Sequence, residues 1–564
     1  LIPPQAAPAA GSSPRPESTS VGPASADPTE VAPIRPESAG QDSTSPEPTA
    51  PESMEIGLGE PRSIGSASIG SMPAGAAASG PTASGPAALT LALAVGLLLA
   101  TALSFSPSLL NDGDTFMHIR AGEAMIDMRS VLTVDPFSGT RAGAPWQTHE
   151  WLAEVVHAAA FRLAGWPGVF LITGWAAGLA AVVMLRDLLR HLEAPFAVAA
   201  TAIGFLLTAP TLLARPHVLV FPLLVLVAVE GFRAAAAGRR PRLVVLMPAF
   251  WLWANSHGSF VVGYLMLAVA GVEALIAAGR AGFVRTAAGW GLAAIGVVAA
   301  TVAGPHGLAT LTFPLGHAAN PSLASIGEWL PLDFSRPNGF EIALFAFLLA
   351  LSRGVRVAPT RMLAVIGLTH LALSHARHQL LLGLLAPVLA APAFGALKPP
   401  APGFAARRAR PATLAVLALL AIAAATARLM LPAGPRDHDA TPLAAVAAIP
   451  ADLKGQPVFN DYSFGAYLIF VGIPPSIDSR AELYGPAFLA DYGRAAADRC
   501  VLATALKTIG ATWTMLAPRN PAAEAMNRLP GWTRFYQDKF AVMHRLTDTA
   551  AAEPIPPGCP GAKP

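Results

Sequence analysis

Apolar and polar positions along this chain fall into long blocks. From residue 87 onward, runs such as "AALTLALAVGLLLATALSF" continue without a charge for about the 20 helical residues that cross a bilayer. About eleven such segments follow one another, near 87–108, 166–185, 195–213, 217–232, 243–256, 259–279, 287–303, 340–352, 361–375, 379–396 and 411–430. They predict an α-helical multi-pass membrane protein. Several are short or interrupted by Pro and Gly, so helix breaks are expected within the set. Charged residues make up only 13% of the chain, about half the share of a soluble domain.

Two blocks lack this pattern. Residues 1–86 are rich in Pro, Ser, Ala, Gly and Glu with hardly an aromatic, and such a segment buries too little apolar area to offset its ordering entropy. It is expected to be disordered, and Met54 or Met72 is an alternative start. Residues 433–564 form a polar block in which "PVFND" and "PPSIDSR" read as strand ends and "FGAYLIFV" as a helix or a strand. "LATALKTIG" followed by "ATWTMLAP" repeats a helix–strand alternation, predicting a small α/β domain. The absence of a G-x-G-x-x-G or P-loop sequence argues against nucleotide binding, and nothing points to nucleic acid. Cys500 and Cys559 have no metal-type spacing and read as unpaired thiols, or as a disulfide if this region lies outside the cell.

Charge orders the loops. Arg186 and Arg190; Arg233, Arg239, Arg240 and Arg242; Arg280 and Arg285; Arg353, Arg356 and Arg361; and Lys398, Arg407, Arg408 and Arg410 occupy every second connection, opposed there by Asp187 and Glu193. By the positive-inside rule these loops are cytoplasmic. The N-terminus is then cytoplasmic and, after an odd number of spans, the 433–564 domain is extracytoplasmic.

The alternate connections carry the unusual polar groups. The first, 111–165, is acidic, with Asp112, Asp114, Glu123, Asp127, Asp135, Glu150 and Glu154, and its end (149–163) reads as a helix on the membrane surface. Asp112 and Asp114, in "NDGDTFMHIR", are placed to act as a general base or to hold a divalent cation, Mg2+ or Mn2+. The competing reading is that they cap the helix that follows. His149 and Glu150, in "PWQTHEW", add a proton carrier and a second acid, unless Glu150 is simply solvated at a helix start. His118 reads as a polar residue of the helix after the acidic pair.

Arg215, Arg377 and His378 lie near outer span ends, where a cation is costly unless it meets an anion such as lipid phosphate or snorkels to the headgroups. His217, His257 and His306 each stand beside Pro, Gly or Ser and singly read as turn residues, without the His-x-x-x-His spacing of a helical zinc site. Glu328, in the second long outer loop (304–339), is an acid that folding would have to bring back to the site. The candidate catalytic set is Asp112, Asp114, Glu150 and Glu328; the candidate substrate-binding set is Arg215, His149, His257, Arg377 and His378.

"DGDTFMHIRAGEAMI", "DPFSGTRAGAPWQTHEWLAE", "RPHVLVFPLL", "WANSHGSF", "IGEWLP", "ARHQLLLGLLAPVL", "VFNDYSFGAYLIF" and "IDSRAELYG" resemble motifs of a set of bacterial multi-pass proteins within the GT-C glycosyltransferases. Protein O-mannosyltransferases and lipid A aminoarabinose transferases belong to that superfamily. The resemblance covers roughly residues 90–500, within a GT-C-like membrane domain at 87–432. It implies a bacterial inner-membrane enzyme moving a sugar from a polyprenyl-phosphate donor to a glycan, lipid or protein acceptor on the outer face, with inversion. It also implies a base or metal role for Asp112 and Asp114, and neutralisation of the leaving phosphate by Arg215 or Arg377. The chain carries Asp-Gly-Asp where the mannosyltransferases carry an Asp-Glu pair. A transporter or flippase of a lipid-linked substrate and a non-catalytic scaffold are the alternatives. Transporters, however, tend to bury ionisable groups at mid-membrane, whereas here the acids cluster in outer loops.

Overall fold

The computed structural model describes residues 85–318, 320–321, 327–397, 410–552 and 559. The tail expected to be disordered falls almost wholly outside the described residues, as do Lys398, Arg407 and Arg408. Each of the eleven apolar segments is helical. Among the described residues, six helices are long and apolar enough to cross a membrane.

The first is α1 (Pro86–Ser104), which buries Ala88, Ala92, Gly96, Ala100 and Ser104 at four-residue spacing. Such a stripe of small residues lets two backbones approach closely inside a bilayer, and α1 lies along α3 (Trp151–Leu188). Between them in sequence comes α2 (Asp114–Met128), the helix of the first long loop, which packs on α3. α3 joins the expected surface helix to the expected span, but Gly165 breaks it with φ 62° and ψ −150°, a conformation open to glycine, and Pro167 starts the second part. α8 (Phe260–Val302) likewise holds two expected segments, parted at Gly279 (φ 56°).

α4 (Ala194–Thr208) extends through a short 3-10 turn, and α5 (Pro216–Leu219) leads into α6 (Phe221–Ala236). α6, α7 (Leu243–Ala254), α10 (Gly339–Ser352) and α11 (Pro359–Ser374) are apolar but shorter than the six. α9 (Ala309–Ala318) belongs to the second long outer loop, and α12 (Gln379–Leu397) together with the helix Pro411–Met430 completes the apolar set.

The basic connections gather by ion pairing. Arg233 meets Asp187 at 2.8 Å, Arg361 meets Glu273 at 2.6 Å and stacks 4.7 Å over Phe232, and Glu230 accepts from Arg239 and Arg242. Glu230 and Glu273 join Asp187 as acids on that side, and their carboxylates sit at the ends of apolar helices.

The C-terminal part carries a four-stranded sheet in the order β1-β2-β4-β3. β1 (Val458–Asn460) pairs parallel with β2 (Trp513–Leu516), while β4 (Val542–Leu546) runs antiparallel to both β2 and β3 (Trp532–Gln537). "FGAYLIFV" is a helix (Gly465–Phe470), and "LATALKTIG" lies in the helix Arg499–Ile509. "PPSIDSR" corrects the expectation of a strand end: Pro474 and Pro475 have no N–H to offer a ladder, and Ser476 N–H donates to the Asn460 side chain at 2.8 Å instead. The expectation of unpaired thiols is also corrected, because Cys500 and Cys559 are joined in a disulfide with Cα atoms 5.5 Å apart.

Candidate active site

Local backbone structure delivers each polar outlier to one place. After α1 the chain turns through Pro107–Leu110, and the Leu109 carbonyl accepts from Ala214 N–H at 2.8 Å. That bond sets Arg215 beside the acidic motif. Arg215 is extended (φ −117°, ψ 159°), as the residue before a proline prefers. Gly113 caps α2 with no side-chain cap bond, so the helix-cap reading of Asp112 and Asp114 is set aside. Their carboxylates turn to Arg215 instead: its Nε stands 3.2 Å from Asp112 Oδ2, and its Nη2 donates to Asp114.

The second outer loop closes on the same guanidinium. Arg215 Nη1 donates to Glu328 Oε2 at 3.1 Å, and Arg377 Nη1 donates to Glu328 Oε1 at 2.8 Å. Arg377 also lies 4.6 Å above the Trp329 ring. The turn Ala376–His378 is fixed by Ala376 N–H on the Leu330 carbonyl at 2.9 Å and by His375 against the Trp329 carbonyl at 2.6 Å. Arg215 and Arg377 therefore point inward to a shared carboxylate, not outward to headgroups.

Glu150 occupies another part of the same wall. Leu152 N–H donates to the Asn255 carbonyl at 3.0 Å and Trp151 Nε1 to the Asn255 side chain at 2.8 Å, tying "PWQTHEW" to "WANSHGSF". Glu150 then faces three imidazoles at 3.5–3.6 Å, those of His118, His149 and His257. It is largely buried rather than solvated at a helix start. His306 stands apart from this group; its Nε2 is 3.0 Å from the Thr148 carbonyl and braces the loop.

All nine candidate residues line one cavity of about 690 Å³. The polar C-terminal part contributes a further wall through Tyr462, Ser479, Arg480 and Glu482, with Trp146 Nε1 donating to Glu482 at 3.2 Å. Sequence reasoning missed Trp146, His317, Trp329 and Glu482 as cavity residues. The quoted motifs "IGEWLP" and "IDSRAELYG" contain two of them, and an acid next to Trp or Arg in a polar outer segment was the available signal. Arg480 is buried between Asp135 (2.8 Å) and Asp478 (2.7 Å) and fastens the first outer loop to the C-terminal part.

Burial and charge divide the carboxyls. Burial pushes Asp112 up to about 7 against the pull of Arg215, with Asp114 and Glu328 adding to the rise. Burial pushes Glu150 to about 7 as well, His118 opposing. Glu328 goes the other way: burial alone would raise it, but Arg215 and Arg377 hold it down at about 2. Burial lowers His149 to about 3 and holds His257 well below the usual imidazole range. A carboxyl near 7 inside a cavity can be present as base or acid at neutral pH.

As placed, the carboxylates do not fit a divalent ion. The Arg215 guanidinium fills the space between Asp112 and Asp114, and among the described residues no three His, Cys, Asp or Glu side chains stand at metal-ligand spacing.

No protein-family model matches the chain, and no curated protein matches it in sequence. Among solved structures it is similar to ArnT from Cupriavidus metallidurans bound to undecaprenyl phosphate, at 14% identity and a TM-score of 0.47, covering 82% of this chain and 98% of that one. It is also similar to the Archaeoglobus fulgidus oligosaccharyltransferase tethered with an acceptor peptide, at 12% identity and a TM-score of 0.43, covering 83% and 74%. The archaeal oligosaccharyltransferase AglB from Archaeoglobus fulgidus, in complex with an inhibitory peptide and a dolichol-phosphate, gives 12% identity and a TM-score of 0.35, covering 81% and 74%. At these identities and scores, no residue role or activity is carried from them to this chain.

Proposed function

We propose that the chain is a membrane glycosyltransferase that moves a sugar from a polyprenyl-phosphate donor to an acceptor on the outer face of the membrane. The observation that carries this reading is the convergence of two guanidiniums, Arg215 and Arg377, with buried carboxyls in one cavity among apolar helices. A lipid phosphate entering between the helices meets Arg215 and Arg377 in competition with Glu328. Arg215 and Arg377 then take up the charge that develops on the departing phosphate oxygen, in a site where preorganised donors are worth more than in water. A base removes the acceptor hydroxyl proton, and the carboxyls near 7, Asp112 and Glu150, are the two whose basicity suits it. Asp112 and Asp114 hold Arg215 in place. His149, His257 and His378 line the space the sugar would fill.

The alternating basic loops support an extracytoplasmic position for this cavity, in a bacterial inner membrane. The Cys500–Cys559 disulfide supports an oxidising compartment for the C-terminal part. Mg2+ or Mn2+ at Asp112 and Asp114 would have to displace Arg215, so no step is routed through it.

The test uses the full chain in nanodiscs with radiolabelled undecaprenyl-phosphate sugars and cell-envelope acceptors. Asp112→Asn and Asp114→Asn are each expected to lower transfer by roughly 10²-fold or more, the scale of losing one charged transition-state contact, with folding retained on size-exclusion chromatography. Washing with EDTA is expected to leave transfer intact. Unchanged transfer in both variants would sink the assignment.

A further inference from the structure

The proposed transfer needs one base, and two carboxyls qualify by their setting. Asp112 and Asp114 both serve Arg215. Glu150 differs. Among the described residues it forms no ion pair with arginine or lysine, and the groups closest to it are imidazoles.

Behind Glu150 stands a buried pair. His118 Nε2 lies 3.6 Å from Glu150 Oε2, and on the far side of the ring His118 Nδ1 lies 3.1 Å from Glu154 Oε1. His118 is 7% exposed and Glu154 2%, so neither has a solvent role. Their approach is built into the backbone. Gly122, one turn beyond His118 on α2, packs so tightly on α3 that a Cβ there would sit 2.0 Å from the Glu154 carbonyl oxygen. Helix α2 thus holds His118 in line between two acids of the neighbouring segment.

We infer that Glu150 is the base that takes the acceptor proton, and that His118, held by Glu154, is a positioning residue that orients Glu150. In the step, the acceptor O–H bond breaks and its proton passes to a Glu150 oxygen. The acceptor oxygen bonds to the anomeric carbon, and the carbon–oxygen bond to phosphate breaks with its electron pair going to the phosphate. This inference rests on the transferase reading above.

The charges around Glu150 are consistent with it. His118 faces it from α2, Glu154 from α3, His149 from the adjoining loop and His257 from the α7–α8 turn, with Arg215 and Glu482 further off. Burial would depress all three imidazoles. His149 and His257 do stay low, whereas Glu154 and Glu150 raise His118 above its ordinary value. His118 is therefore the one of the three imidazoles whose protonated form its neighbours favour.

The test measures kcat/KM for sugar transfer against pH with the wild-type chain in nanodiscs, the radiolabelled undecaprenyl-phosphate sugars as donor. Glu150→Ala is expected to lose transfer and to regain part of it with added formate, a small carboxylate that can stand in for the missing base. His118→Gln removes a charge that favours ionised Glu150. Its acidic limb is expected to move up by about one pH unit, so that kcat/KM at pH 6 falls ~10-fold while the high-pH plateau is kept. Folding of both variants is followed by size-exclusion chromatography. A Glu150→Ala variant as active as wild type, or folded but inactive with no formate response, overturns the inference while leaving the transferase reading standing. An unmoved pH profile in folded His118→Gln removes the positioning role. Wild type with no transfer at all overturns both readings.

Discussion

Within one cavity, Asp112 and Glu150 give up their protons only near neutral pH, whereas Glu328 gives its up in strong acid. The first two have folded values near 7, well above those of an unfolded Asp or Glu, and the third lies near 2. A carboxyl raised on folding adds stability below its unfolded value, near 4, and that contribution is lost as pH climbs through 7. Glu328 acts oppositely, its contribution being lost only as acid approaches 2. The thermal midpoint in detergent is therefore expected to fall between pH 5 and pH 8, and Glu150→Gln should make that fall shallower; an equal slope in both proteins would refute the assignment.

The positions of these groups were legible because a charge at the end of an apolar segment is conspicuous. Their pairings were not. His118 and Glu154 are 36 residues apart in sequence, and no local pattern says that both are buried. The two aspartates looked like caps for a related reason: cap and cavity acid have the same local sequence, and only the position of Arg215 tells them apart.

The helices could be read from the length of each apolar run, and the expected surface helix (149–163) and span (166–185) meet at the break in α3, where Gly165 and Pro167 interrupt helical backbone. Short segments were legible too: those expected at 243–256 and 340–352 are α7 (Leu243–Ala254) and α10 (Gly339–Ser352), each short of a full bilayer crossing in a straight helix. The β3–β4 hairpin escaped notice because its turn has no Gly-containing signature. Asp538 makes it instead, its carboxylate accepting from Phe540 and Ala541 N–H at 2.7 Å each.

The α2–α3 contact invites a direct test. Gly122→Ala forces a Cβ against backbone that has nowhere to yield, and overpacking of this kind costs about 1–3 kcal/mol or more. Gly291→Ala, a helical glycine with open space around it, serves as control. The first variant is expected to lower the thermal midpoint and to disturb the environment of His118 by 15N NMR. The second should change neither, and matching behaviour of the two would remove the packing argument.

Taken whole, the protein brings residues of its alternate, less basic connections to one cavity, while arginines of the basic connections pair with acids elsewhere. Alternation of charge along the sequence separated the connections that share the cavity from the basic ones, since it depends on loop order alone. Contact between the first loop and the C-terminal part was not foretold, because the motifs "DPFSG" and "IDSR" carry no visible sign of each other.

The Arg480 bridge also puts a clock on the site. Asp135 leaves the ribosome 345 residues before Arg480, a delay of roughly 17–70 s at ordinary elongation speeds of about 5–20 residues per second. Through that interval the first loop waits with an acid destined for burial and no cation to meet it. A chain truncated before Arg480 is therefore expected to insert its helices yet leave residues 130–148 open to protease, whereas the full chain resists; equal resistance would show that the loop matures alone. Competence would then be the last property this polypeptide acquires, conferred when its C-terminal end arrives.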